Sequence, residues 1–395
     1  MHPLRTAFAP WMVAMVMVSI LMATALISPL YPLYGMAWQL SPGELTQIYV
    51  LYMVGALACL LFMGRLADRW GPRQTLLLGL GLALIGTLLS ALAKGPLLFT
   101  FARFLVGIAS SLATTGGAVA LLAVMPPEKR GRLASMTSLS IVAGFGLGPV
   151  IGGLAGHFSE TALQSVFYPA LALQAVSLLM MLLILPEMPS PNMLKAKDFL
   201  PKLSWPGNGQ SMRFSLTICV PFLAFGVFGL HSSLTPLMIS DMTGLSGPLV
   251  TGLSLALLLI GAGLSQLFGA GLSARKAAVP GLLLMAAGAA AMLLNLKVGS
   301  VWLFGFGGIC AMFGHGLSLL GSSKALYEVS DASNRGALTA TYWATGYSGA
   351  VFPLLGVGWI ADHWGTNLAV GLFFAVITCL ALGLVLAIRL LLPRP

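Results

Sequence analysis

Charge is scarce in this sequence. Asp, Glu, Lys and Arg make up 8% of its 395 residues, where an ordinary soluble domain carries about 25%. So few charges cannot cover a water-facing surface, so most of the apolar surface must meet lipid. Acid is scarcer still, with ten Asp and Glu against 20 Lys and Arg, and none of the ten falls in the middle of an apolar run. The four cysteines, Cys59, Cys219, Cys310 and Cys379, all lie in apolar runs and form no CxxC pair. They read as small packing residues rather than disulfides or metal ligands. The sequence offers no metal cluster, phosphate loop or nucleophile–base pair. An enzyme is therefore disfavoured, and no cofactor or metal is expected. A membrane sensor or membrane-bound enzyme is the remote alternative.

What the chain has instead is apolar length. Hydrophobic residues make up 58%, the mean hydropathy is +0.96, and there are 47 Gly and 23 Pro. Both are common in membrane helices, where small residues let helices approach and neighbours re-satisfy broken backbone bonds. A spanning helix needs about 20 mostly apolar residues. Such runs begin near Phe8, Glu44, Gln74, Leu97, Leu133 and Leu163. After a polar gap, others begin near Phe214, Leu249, Ala277, Ser300, Ala337 and Asn367. The first, from about Phe8 to Leu33, is too long for a cleavable signal and reads as a span.

The net charge of +10 would suit nucleic acid, but its placement argues against that. With the N-terminus in the cytoplasm, 17 basic residues fall in cytoplasmic segments, Lys94 and Lys297 fall outside, and Arg103 lies within a span; 17 + 2 + 1 accounts for all 20. This is the positive-inside pattern of an even number of helices with both termini cytoplasmic. The chain is expected in the plasma (inner) membrane, multi-pass and monomeric, with the lipid bilayer as its surroundings and no nucleic-acid partner.

The gap from Pro186 to Arg213 is rich in proline, with Gly207, Asn208 and Gly209. It divides the chain into residues 1–190, a linker at 191–213, and residues 214–395. The stretch Met193–Leu203 suits either a short helix on the inner leaflet or a plain linker. The flanking parts share landmarks 205 residues apart: Gly64 and Gly269, Arg130-Gly131 and Arg335-Gly336, Gly153 to His157 and Gly358 to Asp362. Two duplicated six-helix halves are a recurrent design for alternating access.

The sharpest motif is Gly64-Arg-Leu-Ala-Asp68-Arg69-Trp-Gly71-Pro-Arg73. Gly64 permits close helix approach and Gly71 a tight turn, while Asp68 puts a carboxylate where it can meet a helix N-terminus. A plain basic loop with a solvated Asp is the other reading. The motif resembles the helix two–three loop of the major facilitator superfamily, with Pro72 in place of that pattern's penultimate Arg. The resemblance covers essentially the whole chain. It implies an all-α fold of twelve transmembrane helices in two pseudo-symmetric six-helix bundles. It also implies that Asp68 latches the start of helix eleven, near Gly336. The second-half equivalent has Ser273 where Asp would stand, so the gate looks asymmetric.

A second motif, Gly144-Phe-Gly146-Leu-Gly148-Pro149-Val-Ile-Gly152, puts glycines on one helical face with a kink-favouring proline. It resembles the fifth-helix signature of the drug:proton antiporter branch, mainly exporters; helix packing without directional meaning is the alternative. Arg103 opens Arg-Phe-Leu-Val-Gly107, about 10 Å into the fourth span at 1.5 Å per residue. Charge at that depth usually faces a cavity, unless the side chain snorkels outward. The family carries an Arg here too.

Many antiporters of this type use a buried carboxylate for the proton, and the first span offers none. His231 and His315 are the remaining central titratable candidates, with satisfied packing as the competing reading for each. Glu44, three residues after Ser41, has capping-box spacing. Tyr31 and Tyr342 head a set of cavity-lining candidates that includes Thr24, Ser28, Tyr52, Phe225, Phe228, Trp343 and Tyr347. These features point to a secondary transporter exporting a small organic compound by alternating access, with a proton as coupling ion. Import of a nutrient or metabolite on the same fold is the runner-up.

Overall fold

The computed structural model describes residues 3–185, 187–188, 194–207, 209–331 and 334–391. Pro186, Pro189, Pro191, Asn208, Met193 and the expected boundary at 190/191 lie outside them. In chain order the helices are α1 (Pro3–Ala25), α2 (Tyr31–Trp38), α3 (Pro42–Met63), α4 (Leu66–Arg69), α5 (Pro72–Leu92), α6 (Pro96–Val124), α7 (Leu133–Phe158), α8 (Ala162–Ser165) and α9 (Tyr168–Leu183). They continue with α10 (Ser211–Ser233), α11 (Thr235–Thr243), α12 (Pro248–Phe268), α13 (Ala274–Val298), α14 (Val301–Glu328), α15 (Arg335–Trp364) and α16 (Thr366–Leu391). No strand occurs among the described residues. Among the described residues twelve segments are long and apolar enough to cross a membrane, and each begins within three residues of an apolar run read from the sequence.

These helices form because a chain in hydrocarbon must bond its own backbone, and an uninterrupted helix does so locally. Four prolines sit where they cost least, while Pro10, Pro149, Pro221, Pro280 and Pro353 lie inside helices. Pro42, Pro72, Pro96 and Pro248 stand at helix starts, where the missing N–H has no intrahelical partner anyway. Ser41 caps α3 as its spacing with Glu44 predicts: the Glu44 N–H donates to Ser41 Oγ at 3.1 Å and the Ser41 N–H to Glu44 Oε2 at 2.8 Å.

Two compact units result. One holds residues 1–30 and 51–201, the other 31–50 and 202–395. Residues 31–50 thus pack with the C-terminal helices, although they belong to the first half by sequence. In the first unit, α7 crosses α1 on its glycine face. A Cβ at Gly144 would meet Leu21 Cβ at 2.6 Å, one at Gly148 would meet the Met22 carbonyl oxygen, and one at Gly152 would strike the Leu26 carbonyl. The fifth-helix motif therefore sets backbone-to-backbone packing. The second unit repeats the crossing, since Gly349 of α15, 349 − 144 = 205 residues on, has no room for a Cβ against Phe222 of α10.

The linker segment Ala196–Phe199 is a single 3₁₀ turn, not a longer surface helix. Leu194 and Phe199 pack beside Cys59, Leu66 and Leu112 in the first unit. Further on, Thr341 Oγ1 of α15 donates to the Ser204 carbonyl at 2.9 Å and accepts the Ser204 N–H at 3.1 Å, both in the second unit.

The glycine crossing makes a prediction. Gly152→Val should destabilise the protein by about 1–3 kcal/mol through overpacking. Gly81→Ala in α5, where nothing lies within 4 Å of a new Cβ, should leave the melting temperature unchanged or slightly raised. Thermal unfolding in detergent measures both, and equal melting curves would remove the packing argument.

Candidate functional site

The first membrane segment is not one continuous helix. α1 stops at Ala25, a 3₁₀ turn covers Ser28–Leu30, and α2 restarts at Tyr31. A helix end leaves its last four carbonyls without intrahelical donors, a costly state away from water. Arg103 of α6 meets that need. Its guanidinium donates from one terminal nitrogen to the Ala23 carbonyl at 2.9 Å and from the other to the Thr24 carbonyl, with the Tyr52 ring 5.4 Å away. The residue is 2% exposed, so it caps a helix end instead of snorkelling to the surface. A cation there also complements the negative C-terminal pole of α1.

In the second unit the aromatic and titratable candidates converge. The His315 ring lies 6.5 Å from that of Phe225 at an interplanar angle of 12°, and 6.1 Å from that of Phe228. Phe225 in turn meets Trp343 at 5.8 Å and Tyr347 at 5.2 Å. His315 is half-buried, with Nδ1 3.2 Å from the Ala224 carbonyl. His231 is buried, and its Nδ1 donates to the Val227 carbonyl at 2.8 Å. That fixes the tautomer of the neutral ring and makes Nε2 the acceptor; Nε2 is buried without a hydrogen-bond partner among the described residues. Tyr342 is fully buried, its hydroxyl 2.7 Å from Ser322 Oγ and 3.3 Å from Ser323 Oγ. Tyr31 is buried in α2, and the Thr24 hydroxyl bonds back to the Leu21 carbonyl at 2.6 Å. Residue type within each span nominated most of these side chains, and the tertiary packing sets His315 beside Phe225 and Phe228 of α10, with Phe225 in turn against Trp343 and Tyr347 of α15.

In the Gly64–Arg73 motif, Gly71 has φ 110°, a conformation side chains resist, and Pro72 then opens α5. A Cβ at Gly64 would press on the Leu60 carbonyl oxygen at 2.5 Å. Arg73 donates to the Met181 carbonyl near the end of α9 at 2.9 Å. Asp68 is exposed in the short helix α4. Arg69 instead meets Asp198 of the linker, Nε to Oδ1 at 3.7 Å, and Asp198 Oδ2 accepts the Lys195 N–H at 3.0 Å.

Two contacts, those of Asp198 and Asp362, escaped the sequence reading, and Lys324 was expected only to line the inner end of the tenth span. Asp198 ties the linker to the motif; the Lys195-x-x-Asp198 spacing of a local turn was its one signal. Lys324 of α14 donates to the carbonyls of Ala270 at 2.7 Å and Leu272 at 2.5 Å, anchoring the connection where Ser273 replaces the aspartate. Asp362 was visible only as a repeat landmark, yet it bonds the start of α3. Among the described residues no group of three or more His, Cys, Asp and Glu is placed to hold a metal.

A sequence model of the Major Facilitator Superfamily matches residues 13–278, which is 266 of the 395 residues. The chain belongs to the Major Facilitator Superfamily. Within the superfamily it is similar to the putative metabolite transport protein YfiG of Bacillus subtilis, 32% identical over 180 residues that cover 44% of this chain and 36% of YfiG. It is also similar to the multidrug resistance protein MdtL of Escherichia coli O9:H4, 24% identical over 210 residues that cover 52% of this chain and 51% of MdtL. The matched stretches thus span at most about half of these relatives. A bacterial homolog of the human lysosomal transporter Spinster, solved in an inward-facing, unoccupied conformation, shares the fold: TM-score 0.74, 14% identity, 98% of each chain covered. Together with the twelve apolar helices, these findings identify a multi-pass membrane protein of the superfamily.

The linker tie can be tested directly. Asp198→Ala removes the acceptor for the Lys195 N–H and the partner of Arg69. Limited trypsin digestion at Lys195 and Lys202 should then run several-fold faster, consistent with the modest worth of exposed ion pairs. An unchanged cleavage rate would show that the linker is held by packing alone.

Proposed function

We propose that this superfamily member is a secondary transporter that exports a small, amphipathic organic compound in exchange for protons. The observation that carries this reading is the side-chain set of the second unit: the half-buried His315 beside Phe225 and Phe228, Phe225 in turn against Trp343 and Tyr347, and His231 of α10, whose Nε2 has no hydrogen-bond partner among the described residues. Aromatic faces receive an organic molecule without demanding one hydrogen-bond pattern. A neutral imidazole with a free acceptor can take up a proton and change the local charge. The resemblance to MdtL, a multidrug resistance protein, and the fifth-helix glycine motif favour export. YfiG, named as a putative metabolite transport protein, favours the second reading, uptake of a metabolite on the same fold.

Arg103 contributes by positioning. Held on the Ala23 and Thr24 carbonyls, it fixes the interrupted first span and adds a permanent positive charge beneath Tyr52. The substrate is then neutral, zwitterionic or anionic rather than a lipophilic dication. Asp68 acts as the conformational latch toward the start of α15. The two six-helix halves rock about the site, both termini face the cytoplasm, and the protein works as a monomer.

The test is transport by the full chain in proteoliposomes under an imposed pH gradient, with fluorescent neutral and zwitterionic dyes as probes. Gradient-driven movement is expected, with His231→Gln or His315→Gln abolishing its dependence on the gradient. Asp68→Asn should slow turnover while leaving probe binding intact. Arg103→Lys should keep part of the rate, and Arg103→Ala should lose most of it. An impermeant maleimide should reach Lys94→Cys and Lys195→Cys from opposite faces. Movement of a dicationic dye unaffected by Arg103→Ala and by both histidine changes would contradict the reading.

A further inference from the structure

The N-terminus of α3 is completed by a residue more than 300 positions away. Asp362, in the last turn of α15, accepts the Gly43 N–H on Oδ1 at 2.8 Å and the Ser41 hydroxyl on Oδ2 at 3.0 Å. The Ser41 oxygen meanwhile accepts the Glu44 N–H, so the hydroxyl spends its single proton on Asp362. The approach is close because neither helix carries a side chain at the crossing. A Cβ on Gly358 would lie 3.1 Å from Gly43 Cα, and one on Gly43 would collide with the Asp362 carboxylate.

The placement of this carboxylate is informative. An aspartate at a helix C-terminus opposes the dipole of its own helix, whereas at a helix N-terminus it is favoured. Asp362 is badly placed for α15 and well placed for α3. The hairpin it holds, residues 31–50, packs in the second compact unit, while the chain on both sides of it, residues 1–30 and 51–201, belongs to the first. Asp362 itself is exposed, so water can compete for the bond. The repeat supplies no second copy: 362 − 205 = 157 is a histidine, and 43 + 205 = 248 is a proline with no N–H to donate.

We propose that Asp362 and the Ser41–Gly43 helix start form a one-sided latch that fastens the 31–50 hairpin to α15 and opens and recloses in each transport cycle. It stands at the end of α3 opposite the Gly64–Arg73 motif. It rests on the alternating-access reading but is tested apart from it.

Thr46 is the reporter. It is fully buried one turn into α3, against Gly358. The full chain carrying Thr46→Cys, in lipid nanodiscs, is exposed to an impermeant maleimide, and labelling is read peptide by peptide. Cys59, buried in the other unit, reports any general loosening. With Asp362 intact, residue 46 should label slowly but to completion. Asp362→Ala should speed it at least about 5-fold, the loss expected for a capping and charge–dipole contact. Asp362→Asn, which keeps an acceptor but no charge, should be intermediate and covers the case in which the alanine variant does not fold. Cys59 labelling should stay constant throughout. Equal rates at residue 46 in all three chains, no labelling in any, or a parallel rise at Cys59 would each overturn the latch. No pH-driven transport with a normal labelling series would instead remove the transport reading and leave the latch standing.

Discussion

Hydrocarbon offers no water to a broken helix, and the rest of this structure follows from how that constraint is met at one point. The first membrane segment stops at Ala25 and restarts at Tyr31, which leaves buried carbonyls without intrahelical donors. The remedy is Arg103, whose guanidinium bonds two of them. A charge otherwise costly at that depth is matched by the C-terminal pole of α1 and by the Tyr52 ring. Arg103 ties α6 to the end of α1, and α7 packs closely on α1 through Gly144, Gly148 and Gly152. Polar capping and small-residue packing thus share one helix.

The second unit has a matching interruption but different residues around it. Its first span also breaks, between Ser233 and Thr235, and its glycine crossing falls 205 residues after the first. Yet 103 + 205 = 308 is a glycine, so no arginine caps the break. Histidines lie nearby: His231 bonds the Val227 carbonyl one turn back in α10, and His315 sits beside Phe225 and Phe228 of the same helix. The duplicated backbone plan is preserved while the polar chemistry has diverged.

Much of this was legible in the sequence because the membrane writes long signals. Twenty apolar residues are hard to mistake, and so were the spans; the capping box at Ser41 and Glu44 and the turn glycine at Gly71 are local and were equally readable. The position of Arg103 within the fourth apolar run was readable too, but its partners were not, because a helix interruption between Ala25 and Tyr31 leaves no polar mark in an apolar run. Asp198 and Asp362 were missed as contacts for a related reason. Each is an ordinary surface acid in its own neighbourhood, and its meaning lies in a partner 129 or 319 residues away (198 − 69 and 362 − 43). The membership of residues 31–50 in the second unit is likewise a matter of packing, which periodicity does not encode.

The claim on which most depends is that Arg103 sustains the interrupted first span. Hydrogen–deuterium exchange of residues 20–34 in nanodiscs tests it, comparing the parent chain with Arg103→Lys and Arg103→Ala. Loss of the cap should raise exchange across residues 26–30 by about tenfold or more in the alanine variant, since stranding buried acceptors costs about 1–3 kcal/mol and 1.4 kcal/mol is tenfold. The lysine variant, with one compact donor group in place of a fork, should fall between. Exchange in Arg103→Ala indistinguishable from the parent would contradict the account.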